Sequence, residues 1–363
     1  MAKKCIIVLL ICFCSFAQVF ASSLPPLNIV SLENSSGWGA KYGFEDQNGK
    51  LKIPCVYDYA ENFSEGLALV VKGRKAFFIN THGLEAFNSK TSPKQFISGF
   101  KDSRAIFSSD GLFGYINTKG YVAIPSIYED ALSFSEGKAP VKLNGKYGFI
   151  DKNGKTVIDF KYDLASPFKD GVARINIDGK YGFIDENGNN VTPVIYERAA
   201  SFSEGFSAVR IGGKYAFIDK SGFFLTPLVY DWVSDFENSI AIVSRDGLFG
   251  FIDNTGEEIV PTEYAHLERP VDGYIICSEI YRGAELFGVM NINEKTILPF
   301  RYDSITYLSD GLFLVCDDGD FGVITSKRRY VLPAKYDSII QDGDILLATL
   351  KGKTTKFNIK DLK

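Results

Sequence analysis

His82 and His266 are the only imidazoles in the 363 residues, so acid–base or metal chemistry would have to use them, the six cysteines or the 44 carboxylates. A nucleophile–base–acid triad needs three groups that orient one another. His82 sits in the turn Asn80 to Gly83 and His266 in the loop after Tyr264, and neither has a nucleophile or orienting partner evident in sequence. The carboxylates recur at a fixed period, whereas a glycosidase pair is a single constellation. They are expected to cap turns and solvate faces. Asp151-Lys152-Asn153-Gly154 and Asp185-Glu186-Asn187-Gly188 partly resemble oxygen-ligand loops, but no bidentate acid follows at the twelfth position. Cys55, Cys277 and Cys316 have no zinc spacing, and no glycine loop opens a helix to cradle phosphate. The expectation is a non-enzymatic protein with no catalytic, metal or cofactor-binding residues and no cofactor. Its binding residues are unknown from sequence. They should lie where the repeat symmetry breaks: His82, His266, Trp232, Cys55 and Glu279-Ile280-Tyr281-Arg282-Gly283.

That symmetry comes from a repeat of 34 residues. Gly43, Gly114, Gly148, Gly182, Gly250, Gly288 and Gly322 share a column that Phe77 and Ala216 also occupy. Three extra residues fall between Phe77 and Gly114, and four between Gly250 and Gly288 near Ser278 to Ala284. Such periodicity outranks a length-based domain count.

Each unit reads as four short strands. Asn144-Gly145, Asp178-Gly179, Gly212-Gly213, Asp110-Gly111 and Asp246-Gly247 separate alternating apolar runs and suit two-residue hairpins. The third strand, as in Tyr147-Gly148-Phe149-Ile150, puts aromatics on one face and Gly plus Ile on the other, so both faces should be covered. Its Gly should admit a neighbouring layer. An Asp or Asn then precedes a Gly by three residues, as a capped turn requires. The fourth strand is expected to close at Pro54, Pro125, Pro193, Pro227, Pro261, Pro299 and Pro333, with a Tyr three residues on. Tyr162 keeps the register although Asp159 replaces its Pro; an acid follows seven of these eight Tyr, and a Phe such as Phe63, Phe134, Phe168 or Phe202 follows six residues after the Tyr. The phenol is expected to anchor the loop to the next unit.

Lys3 and Lys4, the apolar run Cys5 to Phe16, and Val19 with Ala21 form a secretory signal peptide cut near Ala21. Ser15 and Ala17 offer a second cleavage site. Ile11 and Phe13 precede Cys12 and Cys14, which argues against lipidation. Removing residues 1–21 takes two of the 40 basic residues and no acids, leaving 38 − 44 = −6. Nucleic acid is therefore not an expected partner. The three remaining thiols are free and buried, or Cys277 and Cys316 pair in an oxidising compartment. Asn34-Ser35-Ser36 and Asn190-Val191-Thr192 fit the glycosylation pattern.

At Lys146 to Asp151, Tyr162-Asp163 and Phe202-Ser203-Glu204-Gly205 the sequence resembles the WG-repeat family of mostly bacterial proteins. Trp38-Gly39 is the one literal Trp-Gly pair, since Tyr or Phe stands elsewhere. The resemblance runs from about Trp38 to Ile359 and implies a structural or interaction role with no catalytic residue to transfer.

The expected fold is all-β, with tandem four-stranded meander repeats in an open curved or superhelical array. A closed β-propeller is the alternative, although nine or ten units exceed its usual four to eight blades. The expected domains are a signal peptide (1–21), an N-terminal strand or cap (22–37), the repeat array (38–353) and a C-terminal partial repeat or cap (354–363). The expected location is secreted or periplasmic, at the cell envelope, with no transmembrane span in the mature chain. The expected function is a protein-interaction or scaffold surface, with insertions near Thr91 to Phe96 and Ser278 to Ala284 projecting toward the partner. Glycan or cell-wall binding is the alternative, and a hydrolase the weaker one.

Overall fold

The computed structural model describes residues 27–33, 39–87 and 95–362. The leader with Ala21, the Asn34 triplet, Trp38 and Thr91 lie outside them. Two compact units divide the chain, Met1–Ser126 and Ile127–Lys363. Among the described residues the fold is all-β: ten antiparallel sheets whose strand order follows chain order, none closed into a barrel. One 3₁₀ turn, Ile359–Asp361, is the single helical element among them.

A complete sheet runs through Asp130–Ala131, Lys138–Leu143, Lys146–Asp151 and Thr156–Tyr162. Its second and third strands meet at Asn144-Gly145, with φ of 50° and 79°, the left-handed pair that a right-twisted hairpin needs. The third strand then turns on Asp151, whose carboxylate accepts the N–H groups of Asn153 and Lys155, both at 2.9 Å. Local hydrogen bonding thus fixes the start of the fourth strand.

Two strand details differ from the sequence reading. The fourth strand does not close at its proline: Leu51–Tyr57, Val122–Tyr128 and Glu258–Tyr264 run through Pro54, Pro125 and Pro261 to the tyrosine. This strand is the sheet's outer edge, where a missing N–H costs no ladder bond, and its register shifts there as a bulge. The bulge also explains the glycine column. A Cβ on Gly250 would stand 2.5 Å from Val260 O and 2.7 Å from the Pro261 carbonyl carbon. The layer that comes close is the sheet's own last strand, not a neighbouring sheet.

After Gly182 and Ala216 the fourth strand thins to isolated bridges. There Thr192 and Thr226 offer hydroxyls to the N–H groups of Phe183 and Phe217, each at 3.0 Å. Thr192 is buried, whereas Asn190 of the same triplet is exposed.

The core consists of layers between consecutive sheets. Tyr147 and Phe149 of one sheet pack with Phe168, Ala173, Ile175 and Ile184 of the next. Where a Phe stands six residues after the Tyr it closes the layer: ring centroids are 5.0 Å apart for Phe149 and Phe168, 4.8 Å for Phe183 and Phe202, and 4.8 Å for Phe217 and Phe236. In the first unit the same pair is Phe44 and Phe63 at 4.7 Å. All eight column tyrosines are buried. Their phenols reach the next repeat at Tyr230, to Glu258, and at Tyr264, to Glu294, whereas the buried Tyr162 hydroxyl has no partner.

Two carboxylate devices join neighbours. Where an acid follows the Tyr it caps the coming hairpin: Asp163 accepts from Asp178 N at 2.8 Å, Asp231 from Asp246 N at 2.8 Å and Asp303 from Gly319 N at 2.9 Å. Asp163 and Asp231 also bind Lys146 and Lys214 of the preceding sheet. The second device is the Glu of Phe-x-Glu-Gly. Glu204 accepts from Asn238 N and Ser239 N, one full repeat onward, at 2.9 and 2.8 Å.

Candidate functional site

The residues that break the repeat fall in both units. In the first, His82 is exposed in its turn, its N–H donating to Asn80. Cys55 is half-buried in the fourth strand, its thiol pKa raised by burial. Phe96 bridges Phe107 and packs on Phe78 at 5.0 Å, so this end of the first insertion turns inward.

The second unit gathers the rest. Trp232–Val233 and His266–Leu267 are the short first strands of consecutive sheets, so Trp232 and His266 occupy one column. His266 therefore lies on a strand and not in the loop expected from sequence. Trp232, 47% exposed, sets an edge against Phe249 at 6.2 Å. His266 lies 5.6 Å from the Phe287 ring.

The sheet of His266 carries the second insertion as a longer hairpin. Elsewhere the second and third strands end one pair beyond the aromatic, as Leu143 opposite Lys146. Here Ser278 pairs Phe287 and Glu279 pairs Leu286, then two further pairs follow, Ile280 with Glu285 and Tyr281 with Ala284. The added residues are thus 280, 281, 284 and 285. Ser278, placed in the insertion by the sequence reading, is fully buried in a regular position. Ile280 and Tyr281 are each 58% exposed, and Arg282 lies over the Tyr281 ring at 5.1 Å. A β-branched side chain and a cation-stacked phenol in water form an amphipathic tip.

The acid cap fails where this hairpin begins, because Ala265 replaces the residue after Tyr264. An acid there reaches a tip 15 or 16 residues on in the regular sheets, as Asp231 reaches Asp246 and Asp303 reaches Gly319. A tip displaced by two pairs is beyond that reach. Ala265 was therefore a sequence signal of the longer hairpin, and the sequence reading missed it.

The polar groups at this place pair separately. Ser278 Oγ donates to Glu285 at 2.6 Å, while His266 Nε2 lies 3.3 Å from Glu268. Burial pushes the Cys277 thiol up to about 12, which suppresses the reactive thiolate. Cys55, Cys277 and Cys316 are all free. No group of three or more His, Cys, Asp or Glu among the described residues is arranged to hold a metal ion.

The profile of the WG containing repeat family matches residues 42–75, 113–147, 147–181, 181–215, 216–249, 249–276 and 287–319. The chain belongs to the WG containing repeat family. Residues 277–286, which carry the long hairpin, fall between two WG repeat matches. A search of curated proteins finds no match. Among solved structures, "Crystal structure of the eukaryotic initiation factor" aligns with a TM-score of 0.49 at 11% identity, over 85% of this chain and 95% of that one. "KlHsv2 with loop 6CD replaced by a Gly-Ser linker" gives 0.31 at 10%, over 73% and 98%. "Crystal structure of the tricorn protease" gives 0.25 at 11%, over 89% and 42%. Likeness at these scores carries no functional argument. No helix among the described residues is long and apolar enough to cross a membrane.

Proposed function

We propose that this WG repeat protein is a secreted, non-catalytic interaction module. Its partner is a protein that docks on the rim formed by Trp232, His266 and the hairpin Ile275–Met290 of the second unit. The observation that carries the reading is the hairpin's two added pairs, which hold Ile280 and Tyr281 in water on an otherwise regular frame. Exposed aromatic and aliphatic anchors beside Arg are the groups that dominate protein interfaces. Their rigid strand backbone also lowers the entropy lost on docking.

The test is site-specific photocrosslinking from position 279, exposed and retained when the hairpin is shortened, with the protein presented to the envelope and medium of its source. A protein adduct is expected that disappears when Trp232 is changed to Ala or when residues 280, 281, 284 and 285 are removed. A polysaccharide adduct would favour the glycan alternative, and no adduct would contradict a docking role for this rim. Secretion is tested separately, by the N-terminal residue of the exported chain, expected at Ser22.

A further inference from the structure

A cavity of about 320 Å³ lies in the second unit, where the corner between first and second strands repeats in three consecutive sheets. We propose that it binds an aromatic carboxylate, with Arg174 taking the carboxylate and Phe168, Phe183 and Phe202 receiving the ring. The hairpin rim uses different residues, so this site stands or falls independently of the docking surface.

Arg174 is out of place in its column. The second-strand residue opposite this point is Pro140, Ala208, Ile242, Ile276, Leu314 or Leu347 in the other sheets of the unit. At position 174, paired with Phe183, the repeat puts a half-buried arginine, which lines this cavity and also a smaller neighbouring one beside Tyr181. Arg174 Nη1 donates to Ala199 O of the next sheet at 2.5 Å, and the guanidinium lies over the Tyr181 ring at 5.6 Å. These contacts fix the group but use one of five donors. Bonding to the next repeat does not require an arginine, since Ser203 makes such a bond to Phe236 O at 2.9 Å with a hydroxyl.

The rest of the lining agrees in sign. Lys169 Nζ donates to Phe202 O at 2.8 Å, which holds a second cation at the wall with further donors. Ser135 and Ser201 add hydroxyls. No carboxylate lines the cavity, although the chain has 44 acids and a formal charge of −4. A planar guanidinium fixed on an aromatic ring matches a carboxylate in two-point geometry. The volume is at the small end for ligand sites, enough for one ring and its acid.

The test uses the purified protein at low salt and isothermal titration with 3-phenylpropanoate, N-acetylphenylalanine and the uncharged 3-phenylpropanol. Both acids are expected to bind saturably, and the alcohol at least about tenfold more weakly, the loss of one charge-assisted pair. Tighter N-acetylphenylalanine would identify the source as a peptide C-terminus, and tighter 3-phenylpropanoate a free acid. Arg174→Gln should weaken either acid about tenfold, and Lys214→Gln, in the same unit but away from the cavity, should not. Ser201→Phe places a ring at an exposed position of the lining and should abolish binding without unfolding the chain. Equal binding of acid and alcohol, full binding by both Arg174→Gln and Ser201→Phe, or no saturable binding at millimolar acid would overturn the site.

Discussion

The glycine of the third strand and the acid after the tyrosine show how single positions hold the repeat. Gly250→Ala sets a methyl against Val260 O and Pro261, backbone that cannot rotate away. Its expected cost is about 2 kcal/mol, within the range for overpacked sites, measured as a lower urea midpoint. The same change at Gly247, which meets nothing but has φ of 80°, acts through backbone strain alone. For Asp231, the side-chain bond to Lys214 and then the Asp246 N–H hold the carboxyl below its ordinary 3.8. A folded pKa below the unfolded one means that the stabilisation is complete above the unfolded value and is lost as pH falls through the folded one. Asp231→Asn should therefore lower the urea midpoint at neutral pH, and the difference should shrink as pH falls through the native carboxyl's own titration. The glycine column was legible in sequence because it repeats. Its reason was not, because a bulge is a register fact that appears only when Phe251 is seen opposite Val260 and Ile252 opposite Glu258.

At the scale of elements, hairpin turns and capped turns followed from local chemistry, since Asn-Gly and Asp-x-x-Gly state their own backbone geometry. The fourth strand did not, because whether Pro261 ends a strand or edges it depends on which neighbour needs an N–H. Elements of successive repeats are joined by the Glu204 carboxylate at the Asn238–Ser239 turn. Glu204→Ala leaves those two N–H groups to water. Amide exchange at Asn238 and Ser239 should accelerate about tenfold while the amides of Val243 and Phe251 stay protected, a contrast read by mass spectrometry or NMR. Removing residues 280, 281, 284 and 285 restores a regular hairpin closed by Arg282-Gly283. Those side chains are exposed, but Glu285 accepts the bond of the buried Ser278 hydroxyl, so the shortening is combined with Ser278→Ala; thermal stability should then change little, which separates a binding loss from a folding defect.

For the whole molecule, repetition made family and strand content readable, while function sits where repetition stops. Trp232 and His266 were visible as exceptions one repeat apart, but only the strand pairing seats His266 against Ser278 at the base of the long hairpin. Arg174 escaped notice because its exception is a side chain facing a core layer, and a 34-residue alignment of a variable column does not mark it. The central claim is that the second unit docks a protein through Ile280 and Tyr281. Its most direct test is photocrosslinking from position 279, exposed and present in both the intact and the shortened-hairpin proteins. The expected result is one protein adduct with the intact chain and its loss on shortening at unchanged melting temperature. The same adduct captured equally well by the shortened protein would contradict the claim.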